Sequence, residues 1–118
     1  MFVGGDAAAA DTGGGRRALQ SCQHALRMGR FAGENAARDL LGRPRLSYAH
    51  DRYVTCLDLG RAGAVFTEGW QRQVRWTGDA AKAVKQRINR QLIVPPTSAG
   101  ADALLALSCI DGLPDQAR

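Results

Sequence analysis

Cys22, Gln23 and His24 stand side by side in "ALQSCQHALRMGRFAGENAARDLLG", residues 18–42, where a helix is expected to begin. A Cys-x-His pair offers two zinc ligands, but a structural zinc site needs four at clustered spacing. The other candidates, His50, Cys56, Cys109 and scattered carboxylates, are widely separated, so no metal site is expected. A cysteine at a helix N-terminus is a competent nucleophile because the thiolate is favoured there. Residues two apart on a helix point to different faces, however, so Cys22 and His24 cannot hydrogen-bond each other. The spacing favours a structural pair, a buried Cys22 beside a half-exposed His24. Asp6 and Asp11 are the one acidic pair suited to acid–base work, and no second acidic cluster supports them. Glycines 13–15 do not make a phosphate cradle, since neither G-x-G-x-x-G nor G-x-x-x-x-G-K-[ST] occurs in the chain. Trp70 and Trp76, near arginines, could stack on nucleobases. Both fall in or near strand-like runs, where aromatic residues are common, so nucleic acid is not the expected partner.

The elements that must position these residues follow from periodicity and punctuation. "MFVGGD" reads as the end of a buried strand, a stub with nothing in the chain to pair with. Residues 7–17, "AAAADTGGGRR", read as a surface loop. From Leu19 to Leu41 a helical period appears: Leu19, Cys22, Leu26, Phe31, Ala32, Ala36, Leu40 and Leu41 recur at steps of roughly three or four. Ser21 is a candidate N-cap, and Gly42 with Pro44 supplies the stop. Gly29 and Gly33 leave a smooth strip for another backbone. Tyr53–Leu59 and Ala64–Thr67 flank "GRAG" as a hairpin, and Gln73–Thr77 is a third strand. Thr77 or Asp79 opens a second helix, Ala80 to about Leu92, which the prolines at 95 and 96 end. Ala81, Val84, Ile88 and Leu92 form its apolar stripe; Lys82, Lys85, Arg87 and Arg90 cover the rest. "ADALLALSCI" is expected to form a short marginal helix in a flexible tail.

The 118 residues suffice for one small α+β domain. Three cysteines, an odd number at wide spacing, do not read as a disulfide framework. A net charge of +5 and a pI of about 9.7 suit an anionic partner without choosing between nucleic acid and a membrane surface, and they equally suit a solvated basic face. No transmembrane run or signal-peptide pattern is visible, so a cytoplasmic location is expected. The basic 79–92 helix is suited to peripheral contact with the inner face of the cell membrane, or to packing on the hairpin with a wet basic back.

The ordered set "VGGD", "SCQHALRMGRFAGENAARDLLG", "RYVTCLDLGRAGAVFTEGW" and "AKAVKQRINRQLIVPP" resembles the C-terminal part of FAD-dependent pyridine nucleotide–disulfide oxidoreductases, most closely type II NADH dehydrogenases, over roughly residues 2–96. The resemblance implies an incomplete flavoprotein domain. Residues 1–42 would be the last strand and helix of the FAD-binding domain, 43–96 the C-terminal hairpin and helix, and 97–118 a tail. It implies FAD contacts at Gly5 and Asp6, whose carboxylate would take hydrogen bonds from the ribityl chain. It also implies contacts at Gln23 and His24, whose backbone would approach the flavin's pyrimidine edge. A helix N-terminus carries roughly half a positive charge and suits the negative charge of a reduced flavin. The family's acceptor-side motif, Ala-Gln-x-Ala-x-Gln, falls on Cys22, Gln23, Ala25 and Arg27; Gln23 and Ala25 agree with it, and Cys22 and Arg27 depart from it. Both glycine fingerprints of the family would lie upstream. The chain is therefore expected to be a fragment, a truncated reading frame or half of a split enzyme with an upstream partner. Alone it is expected to be inactive and to bind FAD weakly, because the adenosine and pyrophosphate sites are missing. Within the whole enzyme, electrons would pass from NADH (or NADPH) through FAD to an acceptor, a quinone. The alternative is a non-catalytic basic protein that binds a partner chain, an anionic membrane or nucleic acid. The first helix would be covered by the flavin domain, so in this chain uncovered apolar surface, association and marginal stability are expected.

Overall fold

A glycine-rich N-terminal stretch, one long helix and a three-stranded meander with its own helix account for most of the chain. The computed structural model describes residues 1–50, 52–94, 97 and 100–110. The chain divides into two compact units, Met1–Asp51 with Pro96–Arg118 and Arg52–Pro95.

The first unit is organised by α1, Cys22–Leu40, with Ser21 at the N-cap as its residue type predicts. The helix ends where Gly42 takes a φ of 64°. There the N–H of Gly42 reaches the Asp39 carbonyl and that of Arg43 reaches the Arg38 carbonyl at 2.8 Å. Those two bonds are the Schellman closure that a left-handed glycine permits. The buried face of α1 is His24, Met28 and Phe31. Uncovered apolar surface is present on the helix, as expected: Leu26 is 41% exposed and Leu40 89%, while Cys22, expected to be buried, is exposed as well. Two segments, the N-terminal stretch and residues 43–50, pack on the His24–Phe31 face and leave the leucines uncovered. Gly29 is approached by backbone, as a glycine strip allows: a Cβ on Gly4 would stand 3.2 Å from the Gly29 Cα.

"MFVGGD" forms no strand. Met1–Gly4 carry no regular structure and Gly5–Ala7 make one 3-10 turn. A strand needs a neighbour, and no described strand lies beside this one. Within residues 7–17, expected as loop, β1 (Asp11–Gly13) pairs antiparallel with β2 (Arg16–Arg17). Positive φ angles at Gly13, Gly14 and Gly15 turn the chain back on itself there. The tail contains α3, Ala101–Ser108.

The second unit is the expected meander. β3 (Val54–Asp58), β4 (Ala64–Glu68) and β5 (Gln73–Thr77) lie in that order, antiparallel throughout. Cys56 pairs with Phe66 and Phe66 with Trp76. Period-2 alternation puts Val54, Cys56, Ala64 and Phe66 on one face, which Ala81 and Val84 of α2 (Gly78–Arg87) cover. Thr77 is the N-cap of α2, and a π turn, Ile88–Leu92, continues it. Ala81 and Val84 pack as the stripe predicts, whereas Leu92 is 42% exposed. The prolines at 95 and 96 and residues 111–118 lie outside the described residues.

Candidate functional site

The N-terminus of α1 gathers most of the residues singled out in the sequence. The Gly5–Ala7 turn lies against this helix, and the Gln20 side chain donates to the Asp6 carbonyl at 3.4 Å. The Asp6 charge is felt at His24. Gly5, Asp6, Gln23 and His24 therefore share one end of the helix, Asp6 exposed and His24 fully buried. Asp11 is placed differently: its carboxylate accepts from the Gly13 N–H at 2.8 Å and closes the β1–β2 turn.

The expected burial of Cys22 and exposure of His24 are reversed. Cys22 is exposed, and His24 is the largest fully buried side chain. The reason is the pair of segments packed on the His24 face. Ser21 Oγ and His24 Nδ1 lie 2.8 Å apart and share a hydrogen bond. The serine hydroxyl thus sits at the N-cap without capping. A capping hydroxyl is worth about 1 kcal/mol to a helix, and here it is spent on the imidazole. Burial pulls the His24 pKa below 6.5, with Asp6 opposing the shift. Burial thus favours the neutral ring.

Residues that sequence spacing did not bring together complete the cluster. The His50 ring stands 4.6 Å from the His24 ring, centroid to centroid. Tyr48 Oη is 3.3 Å from His50 Nδ1, and the Tyr48 ring meets Phe31 edge-on at 5.3 Å. The Tyr48 pKa is raised by burial and drawn down somewhat by Arg27. Arg27 lies over the Phe31 ring and donates from Nε to the Ala49 carbonyl at 2.9 Å. Of Cys22, Gln23, Ala25 and Arg27, which the resemblance implied for an acceptor side, Arg27 is thus engaged with the 43–50 segment.

That segment is held along α1 by polar side chains. Asn35 donates to the Leu46 carbonyl at 2.9 Å and accepts from the Leu46 N–H at 2.7 Å, standing in for a strand partner. Arg38 reaches the Pro44 carbonyl at 3.2 Å, and the His50 N–H reaches the Thr12 carbonyl at 3.0 Å. No local pattern could have revealed Tyr48 and His50 as neighbours of His24, because the contact spans residues of different segments. The one available sign was the polar face that Asn35 and Arg38 give to α1.

The remaining candidates sit in the second unit. Trp70 stacks on Tyr53, and the Trp76 ring lies tilted against Phe66, each pair at 4.8 Å between ring centroids. The Cys56 thiol donates to the Ala81 carbonyl at 3.6 Å, and burial pushes its pKa up while Lys85 draws it down. Among the described residues no group of three or more His, Cys, Asp or Glu side chains could hold a metal ion. No described helix is long and apolar enough to cross a membrane.

This α+β arrangement, a helix N-terminus beside a Gly-Asp turn followed by a meander, is matched in sequence by known proteins. The chain is 48% identical over 106 residues to NADH dehydrogenase-like proteins of Mycobacterium tuberculosis, in the CDC 1551 / Oshkosh strain and in H37Rv. Those residues make up 90% of this chain and 26% of each relative, so the chain spans about a quarter of the length of the curated relatives it matches. The similarity is to one segment of an NADH dehydrogenase-like protein. No family model matches the chain, and no solved structure matches it.

Proposed function

We propose that this chain is a segment of an NAD(P)H dehydrogenase flavoenzyme in which electrons pass from NADH by way of FAD to a quinone. The observation that carries the reading is the 48% identity over 106 residues to NADH dehydrogenase-like proteins. The donor set supports FAD. Asp6, exposed in the turn beside α1, would accept hydrogen bonds from ribityl hydroxyls, and Gly5 leaves room for them. The backbone at Gln23 and His24 opens a helix whose N-cap hydroxyl is turned away from capping, an electropositive edge for the flavin's pyrimidine ring. FAD, when bound, supplies the two-electron transfer between nicotinamide and acceptor. Cys22, Gln23, Ala25 and Arg27 would line the acceptor side. Exposed Leu92, Ile93 and Val94 beside exposed Arg87 and Arg90 support peripheral contact with an anionic membrane surface.

The test is a chimera. This chain replaces the matching segment of the M. tuberculosis relative, and flavin absorbance and NADH oxidation by a soluble naphthoquinone are compared with the unaltered relative. Retained flavin and turnover are expected, and Asp6→Ala in the chimera should release flavin. A folded chimera without flavin, beside a flavin-loaded relative, would defeat the reading. In that case the competing account, a non-catalytic basic protein, is examined by salt-sensitive binding to anionic vesicles or nucleic acid.

A further inference from the structure

We infer that residues 43–50 form a pH-gated cover on α1, which opens at its Tyr48–His50 end when the adjoining imidazoles of His24 and His50 take up protons. The device belongs to this chain alone and needs neither flavin nor nicotinamide. The cover is tied to the helix along its length. Asn35 exchanges two hydrogen bonds with Leu46, Arg38 donates to the Pro44 carbonyl, Arg27 donates to the Ala49 carbonyl, and Arg45 pairs with Asp39. At the far end the His50 ring meets the His24 ring. Among the side-chain types that make these contacts, imidazole is the one that ordinarily changes charge between about pH 5 and 8. A fall in pH therefore acts on one end of the cover and leaves the other ties in place.

The geometry sets the sign. The two rings lie 4.6 Å apart between centroids, tilted by 41°. Neutral rings tolerate that contact, whereas two imidazolium ions so close repel each other inside a protein. His24 is also fully buried, and it stands in the first turn of α1, where the helix dipole is positive. A proton on His24 is thus opposed by burial, by the helix end and by any charge on His50. The other charged and titratable groups lie on each packed element. Asp6, from the Gly5–Ala7 turn, favours the charged His24 ring, but burial outweighs it. Arg27, on α1, adds a positive charge beside Tyr48. Ser21 Oγ, 2.8 Å from His24 Nδ1, and Tyr48 Oη, 3.3 Å from His50 Nδ1, fit either state of the rings, since a hydroxyl both donates and accepts. Asp51 follows His50 in sequence.

Opening separates the rings and returns them to water, where an imidazole takes its proton near 6.5. The closed form disfavours that proton on His24. Closure is therefore fully favoured above 6.5 and weakens as the pH falls below it. If opening takes up one proton, the open fraction rises about tenfold per pH unit, and if it takes up two, about a hundredfold. Opening uncovers Phe31, which the Tyr48 ring now meets edge-on at 5.3 Å, and frees the N-terminal turn of α1 on that side. It stops at Leu46, whose N–H and carbonyl remain bonded to Asn35.

The test is NMR of the whole chain, titrated from about pH 8 to about pH 5. Two signals report the closed cover. One is the proton–proton contact between the Tyr48 and Phe31 rings, and the other is exchange protection of the His50 amide, which donates to the Thr12 carbonyl at 3.0 Å. Both are expected above 6.5 and should be lost together below it, while the Leu46 amide and the β3–β4 amides keep their protection. His50→Gln, which keeps a polar side chain but cannot take the proton, should move the loss to lower pH and make it shallower. His24→Leu should abolish the loss; where that variant does not fold, His50→Gln decides. Signals of the closed cover that persist unchanged to the acid end in the wild type would overturn the gate. So would the same midpoint and slope in His50→Gln. Loss of β3–β4 protection at the same pH would mean acid unfolding of the chain, and a loss that vanishes in Asp51→Asn but not in His50→Gln would put the trigger on a carboxylate. Either result overturns the proposal.

Discussion

The two units are held together in opposite ways. In Arg52–Pro95 a small apolar core of Ala64, Phe66 and Ala81, with Val54, Cys56 and Val84 around it, joins a regular antiparallel ladder to one helix. In Met1–Asp51 the helix buries an imidazole with Met28 and Phe31, and irregular segments are tied to it one side chain at a time. Backbone hydrogen bonds come in ladders in the first case. In the second they are completed largely by Asn35, Arg27 and Arg38, because residues 43–50 join no described ladder and meet β1 through the single bond from the His50 N–H to the Thr12 carbonyl. A ladder with an apolar face tolerates loss of a surface group, whereas a strap held by side chains loosens with each of them.

The sharpest way to break the ladder unit is steric. Gly63 has a φ of 89°, and a Cβ there would lie 2.6 Å from both the Cα and the carbonyl carbon of Gly78. Backbone cannot move aside as a side chain can, so Gly63→Ala should cost at least about 4 kcal/mol and unfold the meander. Gly69, with a φ of 72° and nothing within 4 Å of its Cβ position, is the control. Gly69→Ala should cost only the left-handed backbone penalty, about 1–2 kcal/mol. Denaturant titration of the two variants measures the difference, and equal losses would refute the close approach.

Next in size is the core itself. Phe66→Ala should cost about 3–5 kcal/mol, since the ring is buried between Ala81, Cys56 and the Trp76 ring. Phe31→Ala in the other unit should cost less, because its neighbours Tyr48 and Arg27 are partly exposed and can close over the gap. Reversal of that order, read from the same denaturant curves, would mean that the imidazole-containing unit has the stronger core.

This difference also explains what was legible in the sequence. The meander was, because alternation, glycine turns and strand residue types are local signals. The ends of α1 were legible for the same reason, through Ser21 and Gly42. Which face of α1 is buried was not. Leu26, Leu40 and Leu41 carry the apolar period, yet His24, Met28 and Phe31 are covered, because the covering segments are chosen by long-range polar contacts that no window contains. "MFVGGD" failed as a strand for a related reason: its apolar residues announce extended chain but cannot announce a missing neighbour. Gly5, Asp6, Gln23 and His24 were named together on a resemblance, and their shared place at one helix end is a property of the fold. Tyr48 and His50 were outside any motif.

The strap offers the next test. Asn35→Ala removes a donor and an acceptor from Leu46 at once, and at net values for partly exposed hydrogen bonds the loss should be about 1–2 kcal/mol. The effect should be local. Amide exchange or limited proteolysis should accelerate between residues 43 and 50, while the β3–β4 amides keep their protection. Uniform acceleration across both units would show that the two unfold together.

The smallest effect is expected at the ion pair of the ladder unit. Lys82 Nζ donates to Asp58 Oδ1 at 2.6 Å and to the Gly60 carbonyl at 3.2 Å, and the Gly60 N–H donates to the same Asp58 oxygen at 2.8 Å. The Lys82 and Gly60 hydrogen bonds hold the Asp58 pKa below its ordinary 3.8. A carboxylate with a depressed folded-state pKa adds stability that is present above the unfolded value and is lost as pH falls through the folded one. The pair is solvent-exposed, so most of that contribution is screened. In Lys82→Ala the Asp58 titration, followed by carboxyl-carbon NMR, should move up yet stay below the ordinary value, because the Gly60 bond remains. Melting at neutral pH and physiological salt should hardly change. A melting loss approaching that of Phe66→Ala would mean that polar side chains hold this unit too, and the contrast between ladder and strap would fail.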